Sequence, residues 1–115
     1  MKARLPKGMG GGPGNMNSMI RQAQKMQEEM EAVQNELNES EFKAAAGGGA
    51  VEVVMNGKRE VLSVTIKPEV VDPEDVEMLQ DLLIAATNEV LRTIETTTSQ
   101  RMEKVTGGLN VPGMF

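Results

Sequence analysis

Val51-Glu52-Val53-Val54-Met55-Asn56-Gly57, followed by Val61-Leu62-Ser63-Val64-Thr65-Ile66, decides the fold. Val51, Val53 and Met55 alternate with Glu52 and Val54; Leu62, Val64 and Ile66 alternate with Val61, Ser63 and Thr65. This period of two places one face of a strand inside. Between the runs, Asn56-Gly57 is the strongest short hairpin signal, because a type I′ turn needs positive φ at both central positions. Lys67-Pro68 stops the returning strand. Upstream, Gly47-Gly48-Gly49 makes a turn, and Glu41-Phe42-Lys43 begins a short first strand.

A different period flanks this meander on both sides. Met16, Met19, Ala23, Met26, Met30, Val33 and Leu37 recur at alternating steps of three and four, with Ile20 widening the stripe. These are three heptads of a and d positions, and they predict an amphipathic helix of about 25 residues from Asn15. At 1.5 Å per residue it is roughly 37 Å long, more than so small a domain needs to wrap its own core. Part of it therefore protrudes or packs on a partner. Downstream, Asp72-Pro73-Glu74-Asp75 predicts a helix start, with Asp72 as cap, Pro73 at the first helical position and acids on the positive end of the dipole. Val76, Leu79, Leu83, Ala86, Val90 and Ile94, thickened by Leu82 and Leu91, continue that helix. Its stripe lapses from Thr96 to Gln100, resumes at Met102 and Val105, and ends at Gly107-Gly108. The expected architecture is α+β: a long helix, a small three-stranded antiparallel meander and a second long helix. Residues 1–14 read as a flexible Gly/Pro-rich basic arm, 15–108 as one domain and 109–115 as a short tail.

At 115 residues the chain has room for one core. Phe42 and Phe115 are its only aromatics, so ten Met and the aliphatics must build an adaptable core. A single three-stranded sheet leaves two edges and an open face that pairing two copies would cover. There is no Cys and no His, which removes disulfides, thiolate metal sites, the commonest metal ligand and the commonest general base together. Neither glycine cluster has phosphate-loop spacing. The Met stripe fits core packing better than soft-metal binding, and the carboxylate cluster Asp72, Glu74, Asp75, Glu77 has no nucleophile or base beside it. No enzyme, cofactor, metal or small-molecule substrate is expected. Glycines rather than an apolar run follow the first bases, and no stretch has the ~20 apolar residues of a membrane span. A cytoplasmic protein without a membrane role is expected.

Net charge is −5, but its distribution is polarised. Residues 1–25 carry Lys2, Arg4, Lys7, Arg21 and Lys25 and no acid; residues 26–42 carry six Glu and no base; residues 68–90 carry seven acids and no base. The acidic blocks are explained equally by polarised surfaces or by the solubility of a Met-rich protein, whereas a basic arm is a common nucleic-acid feature. Lys58 and Arg59, past the hairpin turn, read either as a solvated tip or as a phosphate contact. Thr96-Thr97-Thr98-Ser99, flanked by Arg92 and Arg101 with Lys104 beyond, reads as an exposed helix end or as a contact surface. The candidate nucleic-acid-binding residues are Arg21, Lys25, Arg92, Arg101 and Lys104, with Lys2, Arg4 and Lys7 of the arm. The acidic stretches 28–41 and 69–81 are expected to face away from them.

Asn17-Ser18-Met19-Ile20-Arg21-Gln22-Ala23-Gln24-Lys25-Met26-Gln27 resembles the opening helix of the YbaB/EbfC family, with Arg21 where Lys is frequent. Val51–Gly57 is similar to that family's strand and turn. Ile66-Lys67-Pro68 is similar to its strand stop, with Lys67 where Asp is frequent. Asp81–Asn88 resembles part of its second helix, and Gly107–Phe115 its Gly/Pro/Met tail. The resemblance spans roughly residues 15–115; the arm at 1–14 departs from the short family N-terminus. It implies a homodimer joined largely through the sheets, with paired helices projecting like tweezers. It also implies association with the nucleoid and binding of duplex DNA with little or modest sequence preference. The competing expectation is a prefoldin-like protein-interaction or holdase module, which helix–hairpin–helix architecture and Met-rich surfaces also suit. The base-only block separates the two, since a holdase does not require it.

Overall fold

In the computed structural model, which describes residues 12–107 with side chains from Asn15, α1 (Gly12–Glu39) leads into β1 (Glu41–Ala46), β2 (Val51–Asn56) and β3 (Val61–Ile66). A 3-10 turn (Pro68–Val70) then leads to α2 (Val76–Val105). The sheet order is β1-β2-β3, antiparallel throughout. This is the expected α+β order. α1 begins three residues before the expected boundary, with Pro13 in its first turn, where a missing N–H costs nothing.

The core lies between the sheet and the helices. Val51, Val53 and Met55 of β2, with Phe42 of β1, meet Ala86, Val90 and Ile94 of α2, and Leu37 of α1 closes the end. Val51, Ala86, Val90 and Ile94 are fully buried. β2 is the central strand: Val51, Val53 and Met55 face the helices, and Val54, on the other face, is 9% exposed. Gly47, Gly48 and Gly49 all adopt positive φ, the left-handed region that an L side chain enters only at a cost, and this permits the tight β1–β2 connection.

Three sequence expectations are corrected. The Asn56-Gly57 signal marks the hairpin, but the turn is not type I′: among the loop residues only Arg59 has positive φ, at 66°. Asn56 O accepts from Arg59 N at 3.0 Å, and Asn56 Oδ1 accepts from Lys58 N at 2.8 Å and Glu60 N at 3.1 Å. The loop is thus held by the Asn side chain. Gly57 serves close packing instead. A Cβ there would lie 2.0 Å from Leu37 O, so only Gly lets the hairpin seat against the end of α1.

β3 is the second correction. The register slips between Val54 and Met55, so Val54 pairs with Ser63 and Met55 with Val61, and Leu62 is the extra residue. α2 lies over β1 and β2, and β3 is left largely uncovered: Val61, Leu62 and Val64 are about half exposed. Third, the α2 cap is Asp75, whose side chain accepts from Met78 N at 3.2 Å, rather than Asp72. Asp72 Oδ1 instead accepts from Glu74 N at 2.9 Å, closing a turn before the helix. Both aspartates could cap; the tertiary path of residues 72–75 gives the role to the later one.

Candidate nucleic-acid interface

α1 and α2 run antiparallel where they meet, because the last turns of α2 lie beside residues 26–36 of α1. An ion pair ties them, with Arg101 donating to Glu36. α1 continues outward past the end of α2, carrying Arg21 and Lys25 on solvent-exposed turns. Four residues apart, these two bases share one side of the helix.

Two adjoining hollows mark the end of the helix pair. One, of about 640 Å3, is lined by Met19, Ala23, Lys25, Met26, Glu29 and Val105. The other, of about 350 Å3, is lined by Glu29, Ala32, Val33, Arg101, Lys104 and Val105. They share Glu29 and Val105, so Lys25 from α1 and Arg101 and Lys104 from α2 converge there. Arg21 stands one turn further out. Lys104 also lies in the last turn of α2, where a cation suits the negative end of the dipole.

Arg92 does not join this group. Nine residues from Arg101, it is about two and a half helical turns away and so on the opposite side of α2. It pairs with Glu89 at 3.0 Å and lines a separate open hollow of about 870 Å3 with Arg59 of the hairpin loop. Sequence spacing gives no reason to group Arg59 with Arg92, because nothing along the chain ties a hairpin residue to mid-α2. Lys2, Arg4 and Lys7 lie outside the described residues.

The acids do not all face away as expected. Glu29 sits in both helix-end hollows beside the bases, and Glu36 holds Arg101. Antiparallel packing lays the last turns of α2, with Arg101 and Lys104, along the acidic part of α1, so segregation along the sequence does not become segregation in space. The hydroxyl run Thr96–Ser99 continues α2 without a break; Thr97 and Thr98 are partly covered and Thr96 and Ser99 exposed. Among the described residues no group of three or more His, Cys, Asp or Glu is placed to hold a metal ion, and no helix is long and apolar enough to cross a membrane.

Comparison with known proteins bears on this arrangement. A nucleoid-associated protein of Clostridium novyi (strain NT) is 61% identical over 108 residues, 94% of this chain and 94% of that protein. Another, from Alkaliphilus metalliredigens (strain QYMF), is 61% identical with the same coverage. A third, from Acetivibrio thermocellus (strain ATCC 27405), is 54% identical over 109 residues, covering 94% of this chain and 96% of that one. Among solved structures, an uncharacterized protein from Helicobacter pylori matches with a TM-score of 0.57 at 24% identity, covering 68% of this chain and 90% of that one, which is a likeness of fold. The model of the YbaB/EbfC DNA-binding family matches residues 11–109. On these matches and on its helix–meander–helix fold, the chain belongs to the YbaB/EbfC DNA-binding family, a family of DNA-binding proteins rather than of enzymes.

Proposed function

We propose that this protein binds duplex DNA as a homodimer, largely through phosphate contacts, as a nucleoid-associated protein that acts on chromosome organisation and gene expression. The observation that carries the reading is the convergence of Lys25, Arg101 and Lys104 at the end of the helix pair, with Arg21 one turn beyond. Lys and Arg side chains there reach phosphate oxygens without reading base edges, which suits a protein of little sequence preference. Family membership and the nucleoid-associated names of relatives at 54–61% identity support the same partner.

The homodimer has its own support. Val61, Leu62 and Val64 leave β3 with an uncovered apolar surface, and the sheet has two open edges. Val71, Val76 and Ile84 add exposed apolar side chains. Association through the sheets would cover part of that apolar surface and present every basic group twice.

Fluorescence anisotropy with unrelated duplexes between 50 and 200 mM salt tests the reading. About 6 phosphate contacts per dimer give roughly a thousandfold loss of affinity across that range. Replacing Arg21 and Lys25 with Ala should weaken all duplexes alike and flatten the salt slope. Binding indifferent to salt, or untouched when Arg21, Lys25, Arg92, Arg101 and Lys104 are all replaced, would overturn it. One observation favours the second reading, a protein-interaction or holdase module: Met16, Met19 and Ile20 are more than half exposed on the outer part of α1. Suppression of client aggregation by the parent, lost on replacing these three with Ser, together with no duplex binding, would establish it.

A further inference from the structure

The hairpin loop contains an anomaly that the fold does not need. Arg59 is the only non-glycine residue with positive φ among the described residues. Hairpin loops of three residues place Gly at the left-handed position because it has no Cβ to strain. Here a large cationic residue sits there instead, and strained backbone of this kind clusters at functional sites. The fold itself gains little visible from it: the loop hydrogen bonds are made by the Arg59 N–H and by Asn56, not by the guanidinium. Among the described residues the ion pairs are Arg92 with Glu89 and Arg101 with Glu36, and Arg59 is in neither.

The loop conformation delivers Arg59 to a definite place. It lines the open hollow of about 870 Å3 on α2 together with Arg92, Asn88, Glu89 and Glu95. Two arginines from distant parts of the chain thus border one solvent-open space, with Asn88 and two acids beside them. Planar forked donors match the paired oxygens of a phosphate group. The two acids offset the charge of the two arginines. Glu89 occupies Arg92 through a solvent-exposed pair, with side chains 54% and 64% exposed, and exposed pairs exchange partners at little cost.

We propose that Arg59 and Arg92 form a second phosphate-binding site, which takes a backbone phosphodiester of duplex DNA apart from the bases at the end of the helix pair. This rests on the duplex-binding reading above. Glu89 holds Arg92 ready in the free protein and yields it to the phosphate. Placed on the opposite side of α2 from Arg101, the site widens the protein's contact with DNA from the helix ends to the sheet end of the molecule.

The test uses the full chain, anisotropy with a fluorescent duplex across salt, and thermal unfolding of each variant. Arg59→Asn keeps a residue that tolerates positive φ and removes the charge; Arg59→Gly removes the strain as well. Both should unfold at the parent's temperature or above it, yet bind duplex about tenfold more weakly, with the salt slope reduced by about 1.8 for the two sites of a dimer. Arg59→Lys should keep the slope. Glu89→Gln should bind roughly twofold to fivefold more tightly, because Arg92 is freed. Equal affinity and slope for parent and Arg59→Asn would overturn the site while leaving the duplex reading intact, whereas a parent that binds no duplex would sink the reading beneath it. A marked fall in unfolding temperature for both Arg59→Asn and Arg59→Gly would show that the side chain serves the fold. If inorganic phosphate at constant ionic strength stabilises the parent but not Arg59→Asn, while their duplex affinities are equal, the site takes a free anion and the DNA assignment fails.

Discussion

At the sheet end of α1, Leu37 is 1% exposed and packs with Val53 and Ile94; toward the other end, Met26 is half covered, and Met19 and Met16 are 67% and 61% exposed. All four occupy the same heptad seam, and nothing in their spacing distinguishes them. What differs is the length of the neighbour. α2 accompanies α1 only to about Met26, where Val105 closes its last turn, and the outer turns of α1 have no described element beside them. Periodicity reports which side of a helix is apolar; the partner's reach decides how much of that side is buried.

Truncation at the two ends of the seam breaks or sharpens this contrast most directly. Leu37→Ala should lower unfolding stability by about 2–5 kcal/mol, the range for a buried Leu that leaves a cavity. Met19→Ala should change it by no more than about 0.5 kcal/mol, as at exposed positions. Urea denaturation of both variants at equal protein concentration measures the pair. Equal costs would mean that the outer stripe is covered in solution, and would shift attention from the sheet to α1 as the site of association.

Gly57→Ala probes the buried end from the hairpin side. Its new Cβ would fall on the Leu37 carbonyl, a backbone group that cannot swing aside, so the hairpin must lift from α1. A loss of about 1–3 kcal/mol is expected by analogy with overpacked cores. Gly48→Ala serves as the comparison, since no atom lies within 4 Å of a Cβ there and only its positive φ of 68° opposes the change. If Gly57→Ala cost no more than Gly48→Ala in the same denaturation series, close seating of the hairpin on α1 would be unimportant to stability.

The smallest effect belongs to the rim of the covered part of α1, beside Leu37. Arg101 and Glu36 join the helices there with side chains 37% and 61% exposed. Solvent screening at that exposure limits their coupling to less than about 1 kcal/mol in a double-mutant cycle. A larger value would mean that the ion pair, as well as the apolar seam, holds α2 against the covered part of α1.

Local chemistry made much of this molecule legible in its sequence: the two long apolar stripes, the alternation in β2, the three-glycine turn and the stop at Lys67-Pro68 each act over a few residues. They are enough for the order helix, meander, helix, for which strands pair and for the core residues of β2 and α2, though not for β3 or the outer part of α1, whose apolar positions stay exposed. The candidate bases could be named, since charge is written in the sequence, but not grouped. Arg92, Arg101 and Lys104 look contiguous along the chain and are divided by helical rotation, while Lys25 and Lys104 line adjoining hollows only because α1 and α2 pack antiparallel. Arg59 and Arg92 share a hollow only because a bulged hairpin and α2 lie together. The Asn-Gly pair announced a turn, yet the loop that formed is held by the Asn56 side chain, and Gly57 is required by its close approach to Leu37, a contact between segments far apart in sequence. Secondary structure here was determined by neighbours along the chain; burial, turn type and the sharing of charge were decided by neighbours in space, which no short-range pattern encodes.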